Sequence, residues 1–162
     1  MTTKKLTLSA NLIALSAILS YIKLYQFPQG GSITLCAMLP ILIISWKFGA
    51  KIAMLSGAVF GFIMLLIDPY ILHPAQVLLD YPLPFMTFGA IAAIIKNRYL
   101  SIVAAFLGRF ICHFASGVFF FSSFAPEGMS PVIYSIIANA TYLLPEMLLT
   151  IIVVKIIAYK LN

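Results

Sequence analysis

Six apolar runs follow one another along the chain, and nearly all of its charge lies in the short links between them. The runs are Leu6 to Tyr25, Ile33 to Trp46, Ile52 to Ile67, Ala75 to Ile95, Ser101 to Phe121 and Val132 to Ala158. A helix needs roughly 20 residues to cross about 30 Å of hydrocarbon, so the length suits one compact bundle of such spans. Only 9% of the 162 residues are charged, and 63% are hydrophobic. A soluble domain carries about 25% charged residues, so this chain lacks the means to clothe a water-facing surface. The expectation is an all-α integral membrane protein, a single domain over residues 1–162 with six transmembrane helices in a lipid bilayer.

The links carry turn chemistry. Pro28-Gln29-Gly30-Gly31 lies in the loop Gln26 to Ser32, and its glycines permit movement. Pro40 is expected to kink the second run or to end a half-helix there. Gly57 and Gly61 stand at GxxxG spacing in the third run, which suits close helix contact. Asp68 to Pro74 forms the next loop, and Pro82 and Pro84 interrupt the fourth run near its start. No internal repeat is visible.

An even number of spans places both termini on one side. Lys4, Lys5, Lys47, Lys51, Lys96, Arg98, Lys155 and Lys160 collect on that face. The opposite loops contain no Lys or Arg, although Lys23 lies near the far end of the first span. The positive-inside rule then predicts cytoplasmic termini. The net charge of +6 therefore marks span ends rather than a patch for nucleic acid, which is not expected as a partner. Lys4 and Lys5 precede a long apolar segment without a small-residue cleavage site, so no cleaved leader is expected.

Charge inside an apolar run is costly and marks a protein interior or a wet cavity. The stretch GRFICHFASG, Gly108 to Gly117, sets Arg109 and His113 four residues apart, on one face of a helix. The pair reads either as an internal lock between helices or as part of a functional site. A rise of ~1.5 Å per residue puts His113 ~18 Å above the cytoplasmic start of its span and Asp80 ~8 Å below the outer start of its own. Asp80, Tyr81, His113, Gly117, Phe121, Tyr134 and Asn139 then share one outer slab drawn from three spans. An acid, an imidazole, an amide and aromatic rings suit a small, flat, cationic or polar ring compound. Gly117 would let that ligand approach the helix backbone. Arg109 and Glu146 fall deeper at similar heights and are expected to form a structural ion pair, directly or through water, because a lone buried charge costs more than a paired one. With 13 Phe and 8 Tyr, most rings must face lipid, core or the membrane interface, so aromatic assignments compete with that background.

Other features carry less. Cys36 and Cys112 read as buried apolar fillers, and no metal site or cofactor is expected. His73, beside Pro74 in a loop, reads as solvated or as a turn cap more readily than as a ligand contact. Ala10 and Ala14 form an AxxxA pair on the first span, with Ala17 one turn on, which flattens the helix for a neighbour inside or outside the bundle. No GxxxxGK[ST] is present, so energy for any transport comes from a partner or an ion gradient. The chain has two histidines and lacks HExxH and GxSxG, which leaves little for an intramembrane enzyme.

PQGGSITLCAMLPI (28 to 41), HPAQVLLDYPL (73 to 83), GRFICHFASG (108 to 117) and APEG followed by YSIIANATYLLPE (125 to 146) resemble the bacterial thiamine transporter family. Its members are substrate-binding S components of energy-coupling factor transporters in the cell membrane. The resemblance covers most of the chain and implies six helices, with the vitamin near the outer surface under the loop joining the first two. It implies thiamine contacts at Asp80, Tyr81, Arg109, His113, Gly117, Phe121, Tyr134 and Asn139, with Phe121 as the stacking ring. Asp80 and Phe121 stand where the family pattern also carries Glu and Trp. It further implies that Ala10 and Ala14 dock on a transmembrane coupling protein driven by two ATPases. A self-sufficient carrier of thiamine or a related pyrimidine or thiazole compound, coupled to protons or cations through Asp80, His113 or Glu146, is the alternative.

Overall fold

The computed structural model describes residues 2–28 and 30–161, with side chains as far as Ala158. Its order is α1 (Thr3–Tyr21), β1 (Lys23–Gln26), β2 (Ser32–Thr34), α2 (Leu39–Phe48), α3 (Ala50–Ile67), α4 (Pro74–Asp80), α5 (Pro82–Ile94), α6 (Arg98–Phe120), a 3-10 turn (Ser122–Phe124) and α7 (Pro131–Leu161). Counting α4 and α5 as one broken rod, the described residues make a bundle of six helical rods. Among the described residues, α3, α4–α5, α6 and α7 are long and apolar enough to cross a membrane. The chain is a multi-pass membrane protein.

Two rods depart from a simple span for physical reasons. Helix α1 has the length, 19 residues, but it carries Lys4, Lys5 and Asn11 and turns Ser9, Ser16 and Ser20 into the bundle, which together lower its hydropathy. Helix α2 has only 10 residues and is too short to cross alone. The non-helical backbone leading into it is packed away, with Thr34, Cys36, Ala37 and Met38 all buried. Irregular backbone at membrane depth is tolerated where protein surrounds it.

The run Leu6 to Tyr25 does not stay helical to its end. It stops at Tyr21, and Lys23–Gln26 turns back antiparallel onto Ser32–Thr34, pairing Tyr25 with Ile33 and Gln26 with Ser32. Gly30 and Gly31 take φ of +88° and +77°, a region open to glycine, and Phe27 N–H donates to the Gly31 carbonyl at 3.1 Å. Gln29 of the turn signal lies outside the described residues. Pro40 neither kinks nor ends a helix: it sits in the first turn of α2, where its missing N–H costs nothing.

Helices α3 and α5 pack most closely. A Cβ at Gly57 would strike the Phe85 carbonyl, and one at Gly61 the Tyr81 carbonyl, so the GxxxG spacing serves backbone-to-backbone approach. Edge-to-face pairs fill the core beside them, Phe60 with Phe85 at 4.7 Å and Phe88 with Phe106 at 5.2 Å. The fourth run breaks at Tyr81, because Pro82 has no N–H to continue the α4 ladder. That break puts Asp80 at the end of a short helix facing the bundle axis. The hairpin, the 68–73 loop and the 122–130 loop gather at one end of the bundle. Lys47, Lys51, Lys96 and Arg98 mark the other, where Arg98 lies over the Trp46 ring at 5.5 Å.

Candidate functional site

At the hairpin end the bundle surrounds an open-ended cavity of about 580 Å³. Its walls come from the hairpin, the outer end of α3, α4, α5, α6 and α7. Asp80, Tyr81, Arg109, His113, Gly117, Phe121, Tyr134 and Asn139 all line it. The same hollow therefore receives every residue that the outer-slab reading brought together.

The polar groups form one continuous chain. Asp80 Oδ2 accepts from Gln76 Nε2 at 2.7 Å and from Ser116 Oγ at 2.8 Å, and Oδ1 pairs with His113 Nδ1 at 3.2 Å. Arg109 Nε donates to His113 Nε2 at 3.4 Å. Arginine can only donate, so His113 Nε2 is an acceptor and the ring proton sits on Nδ1, aimed at Asp80. Arg109 Nη1 reaches Glu146 Oε2 at 3.1 Å, and its guanidinium lies over the Phe85 ring at 5.0 Å. Glu146, only 1% exposed, also accepts from the Thr34 hydroxyl of β2.

Arg109 and Glu146 pair directly, as expected, but they are not separate from the outer group. His113 joins them to Asp80, because the four-residue spacing that stacks Arg109 under His113 also brings their nitrogens together. One cation against two carboxylates leaves this interior one negative charge in excess, with neutral His113 between them. Such an interior favours a ligand carrying one positive charge.

Several positions have a different reason from the expected one. At Gly117 a Cβ would strike Ser135 Oγ, so this glycine admits α7 against α6. The Tyr81 hydroxyl donates to the Asp68 carbonyl and accepts from Tyr70 N–H, both at 2.8 Å, which pins the 68–70 loop. Phe121 caps α6 and stacks on Tyr70 at 5.7 Å. Asn139 Nδ2 donates to the Ser135 carbonyl at 2.9 Å, while its Oδ1 accepts from the Tyr142 hydroxyl at 3.1 Å. His73 caps α4 through Nδ1 and stacks on Phe120 at 5.2 Å, outside the cavity lining. Ala10 and Ala14 are exposed on the outward face of α1. Among the described residues no group of three or more His, Cys, Asp or Glu could hold a metal.

Gln76, Tyr142 and Thr34 are among the lining residues that the sequence does not single out. Gln76 precedes Asp80 by one helical turn and was open to the spacing argument applied to Arg109 and His113. Tyr142 lies three residues after Asn139; its ring lies where a side chain on Gly31 would go. Thr34 reaches Glu146 only because β2 folds back over the bundle, and no local pattern signals it.

Comparison with known proteins places this architecture. The chain is 37% identical to the thiamine transporter ThiT of Bacillus subtilis (strain 168), over 79% of this chain and 75% of that one. It is 26% identical to the thiamine transporter ThiT of Lacticaseibacillus paracasei, over 74% and 70%. The fold is similar to the solved structure of ThiT from Listeria monocytogenes, with a TM-score of 0.82, 24% identity and coverage of 96% of this chain and 93% of that one. A sequence model of the family described as thiamine transporter protein matches residues 6–162, and the chain belongs to that family.

Proposed function

We propose that this protein takes up thiamine, as the membrane-embedded binding subunit of a transporter whose energy comes from a separate ATP-driven module. The observation that carries the reading is the buried run Asp80–His113–Arg109–Glu146, which leaves one excess negative charge beside aromatic rings in an open-ended cavity. Thiamine brings a fixed positive charge and two flat rings. Family membership favours this cation over others of similar size.

In this reading the ligand enters at the hairpin end and Asp80 meets its hydrogen-bond donors. Three of the roughly four lone-pair positions of the Asp80 carboxylate are already filled by Gln76, Ser116 and His113. One on Oδ1 remains for the ligand. Tyr134, whose hydroxyl has no hydrogen-bond partner among the described residues, offers a second polar contact. Phe121, backed by Tyr70, supplies a stacking face. Tyr81, Gly117 and Asn139 shape the cavity by holding its walls. The basic end lies in the cytoplasm under the positive-inside rule, so the cavity opens outward. The exposed Ala10–Ala14 surface receives the transmembrane coupling protein, which two ATPases drive.

Calorimetry on the purified chain tests the first step: thiamine is expected to bind one to one without any partner. A flat titration with folded protein would reject thiamine as the ligand. Proteoliposomes test the second. The chain alone should not accumulate thiamine under a pH or cation gradient, and gradient-driven accumulation would replace the coupled subunit by a self-sufficient carrier.

A further inference from the structure

We infer that Gln76 is a positioning residue for ligand capture, holding Asp80 as an acceptor and fastening the outer loop to it through one buried amide. The inference rests on the thiamine reading above and adds a residue to it. Gln76 is 1% exposed, and its whole amide is engaged. Nε2 donates to Asp80 Oδ2 at 2.7 Å and to the Tyr70 carbonyl at 3.1 Å, while Oε1 accepts from Leu72 N–H at 3.1 Å. Two acceptors on one side and a donor on the other fix which way the amide faces.

The consequences reach two parts of the cavity. By occupying Oδ2 together with Ser116, Gln76 turns the carboxylate so that the open lone pair lies on Oδ1, the oxygen that His113 shares. By gripping Tyr70 and Leu72, it also fixes the loop whose Tyr70 ring backs Phe121. The acid and the stacking face are thereby held at one distance from each other. No other side chain among the described residues bonds both Asp80 and that loop. A polar side chain in a membrane bundle is expensive unless every group on it is paired, and here each one is.

Two full-length variants test this, with thiamine as the probe and calorimetry as the readout. Gln76→Met keeps the volume and removes all three hydrogen bonds; affinity should fall about 10- to 100-fold, the scale of a hydrogen bond to a charged group, by a similar factor at every pH. Gln76→Glu keeps the acceptor for Leu72 but sets a second carboxyl against Asp80. At the alkaline end both ionise and repel, whereas at the acid end one proton between them restores a donor toward Asp80. Binding by this variant should therefore recover as pH drops from about 9 to about 6, beyond any change in the unmodified protein.

The other ionisable groups that interact with Asp80 are His113 and Cys112 on α6, Tyr142 on α7 and Tyr81 beside the loop, while Lys23, Asp68, Arg109 and Glu146 line the same cavity. All are present in the unmodified protein and in both variants alike, so the added dependence belongs to residue 76. Wild-type affinity in both variants would overturn the inference while leaving thiamine binding intact. So would a Gln76→Glu profile parallel to wild type beside a weakened Gln76→Met, which would confine Gln76 to the fold. If Gln76→Met does not fold, the pH profile of Gln76→Glu decides alone. Absence of thiamine binding by the unmodified protein would instead overturn the functional reading, and this inference with it.

Discussion

Asp80 and Glu146 are both carboxylates in the bundle interior, yet their surroundings ask different things of them. Glu146 is closed off: Arg109 and Thr34 occupy it and it is 1% exposed. Removing the arginine strands a buried charge, which costs about 3–5 kcal/mol, more than an apolar pair at the same place. Arg109→Met should therefore lower the melting temperature sharply in detergent, and Glu146→Leu added to it should restore part of the loss. Simple additivity of the two would show that the pair is not coupled. Asp80 keeps a side open to the cavity, so Asp80→Asn, although its amide nitrogen must face a former donor, should lower the melting temperature less than Arg109→Met does. Thiamine affinity should drop about 10- to 100-fold, through loss of a charge-assisted hydrogen bond. These residues were legible in the sequence because charge inside an apolar run has few explanations. Gln76 obeys the same logic, but without a charge it stands out less from the apolar run. The detailed reason for Gly117 was not legible, since the atom that needs its space, Ser135 Oγ, belongs to another helix.

At the scale of elements, helix existence followed from apolar length, while the β-hairpin did not. Lys23 to Tyr25 ends an apolar run, and only the pairing with Ser32–Thr34 shows that its backbone leaves the helix. The Pro82 break was readable because proline removes a donor wherever it stands. The hairpin tip gives an element-level prediction. Gly31 lies against the Tyr142 ring with φ at +77°, whereas Gly30, at φ +88°, has nothing within 4 Å of a Cβ position. Alanine at either site bears a left-handed backbone cost of about 1–2 kcal/mol, but only Gly31→Ala also collides with Tyr142. Gly31→Ala should weaken thiamine binding clearly more than Gly30→Ala does, with the bundle melting alike in both. Equal effects would mean that backbone strain, rather than the seat on Tyr142, governs the hairpin.

For the whole molecule, the proposed function divides the work between two surfaces. The cavity sits at the hairpin end, while Ala10 and Ala14 lie on the exposed flank of α1, either side of its midpoint. Small residues on an outward flank let another helix come close, and a large side chain there obstructs a partner without touching the ligand. Ala14→Trp is expected to leave thiamine affinity and melting temperature unchanged in the purified chain. In cells supplying the coupling protein and its ATPases, the same substitution should reduce uptake about tenfold or more, the effect of losing ~2 kcal/mol at the centre of an interface. The comparison needs both measurements, because weaker binding would also reduce uptake. If uptake stays at wild-type level while affinity is intact, the partner docks elsewhere, and the small-residue flank of α1 faces only lipid.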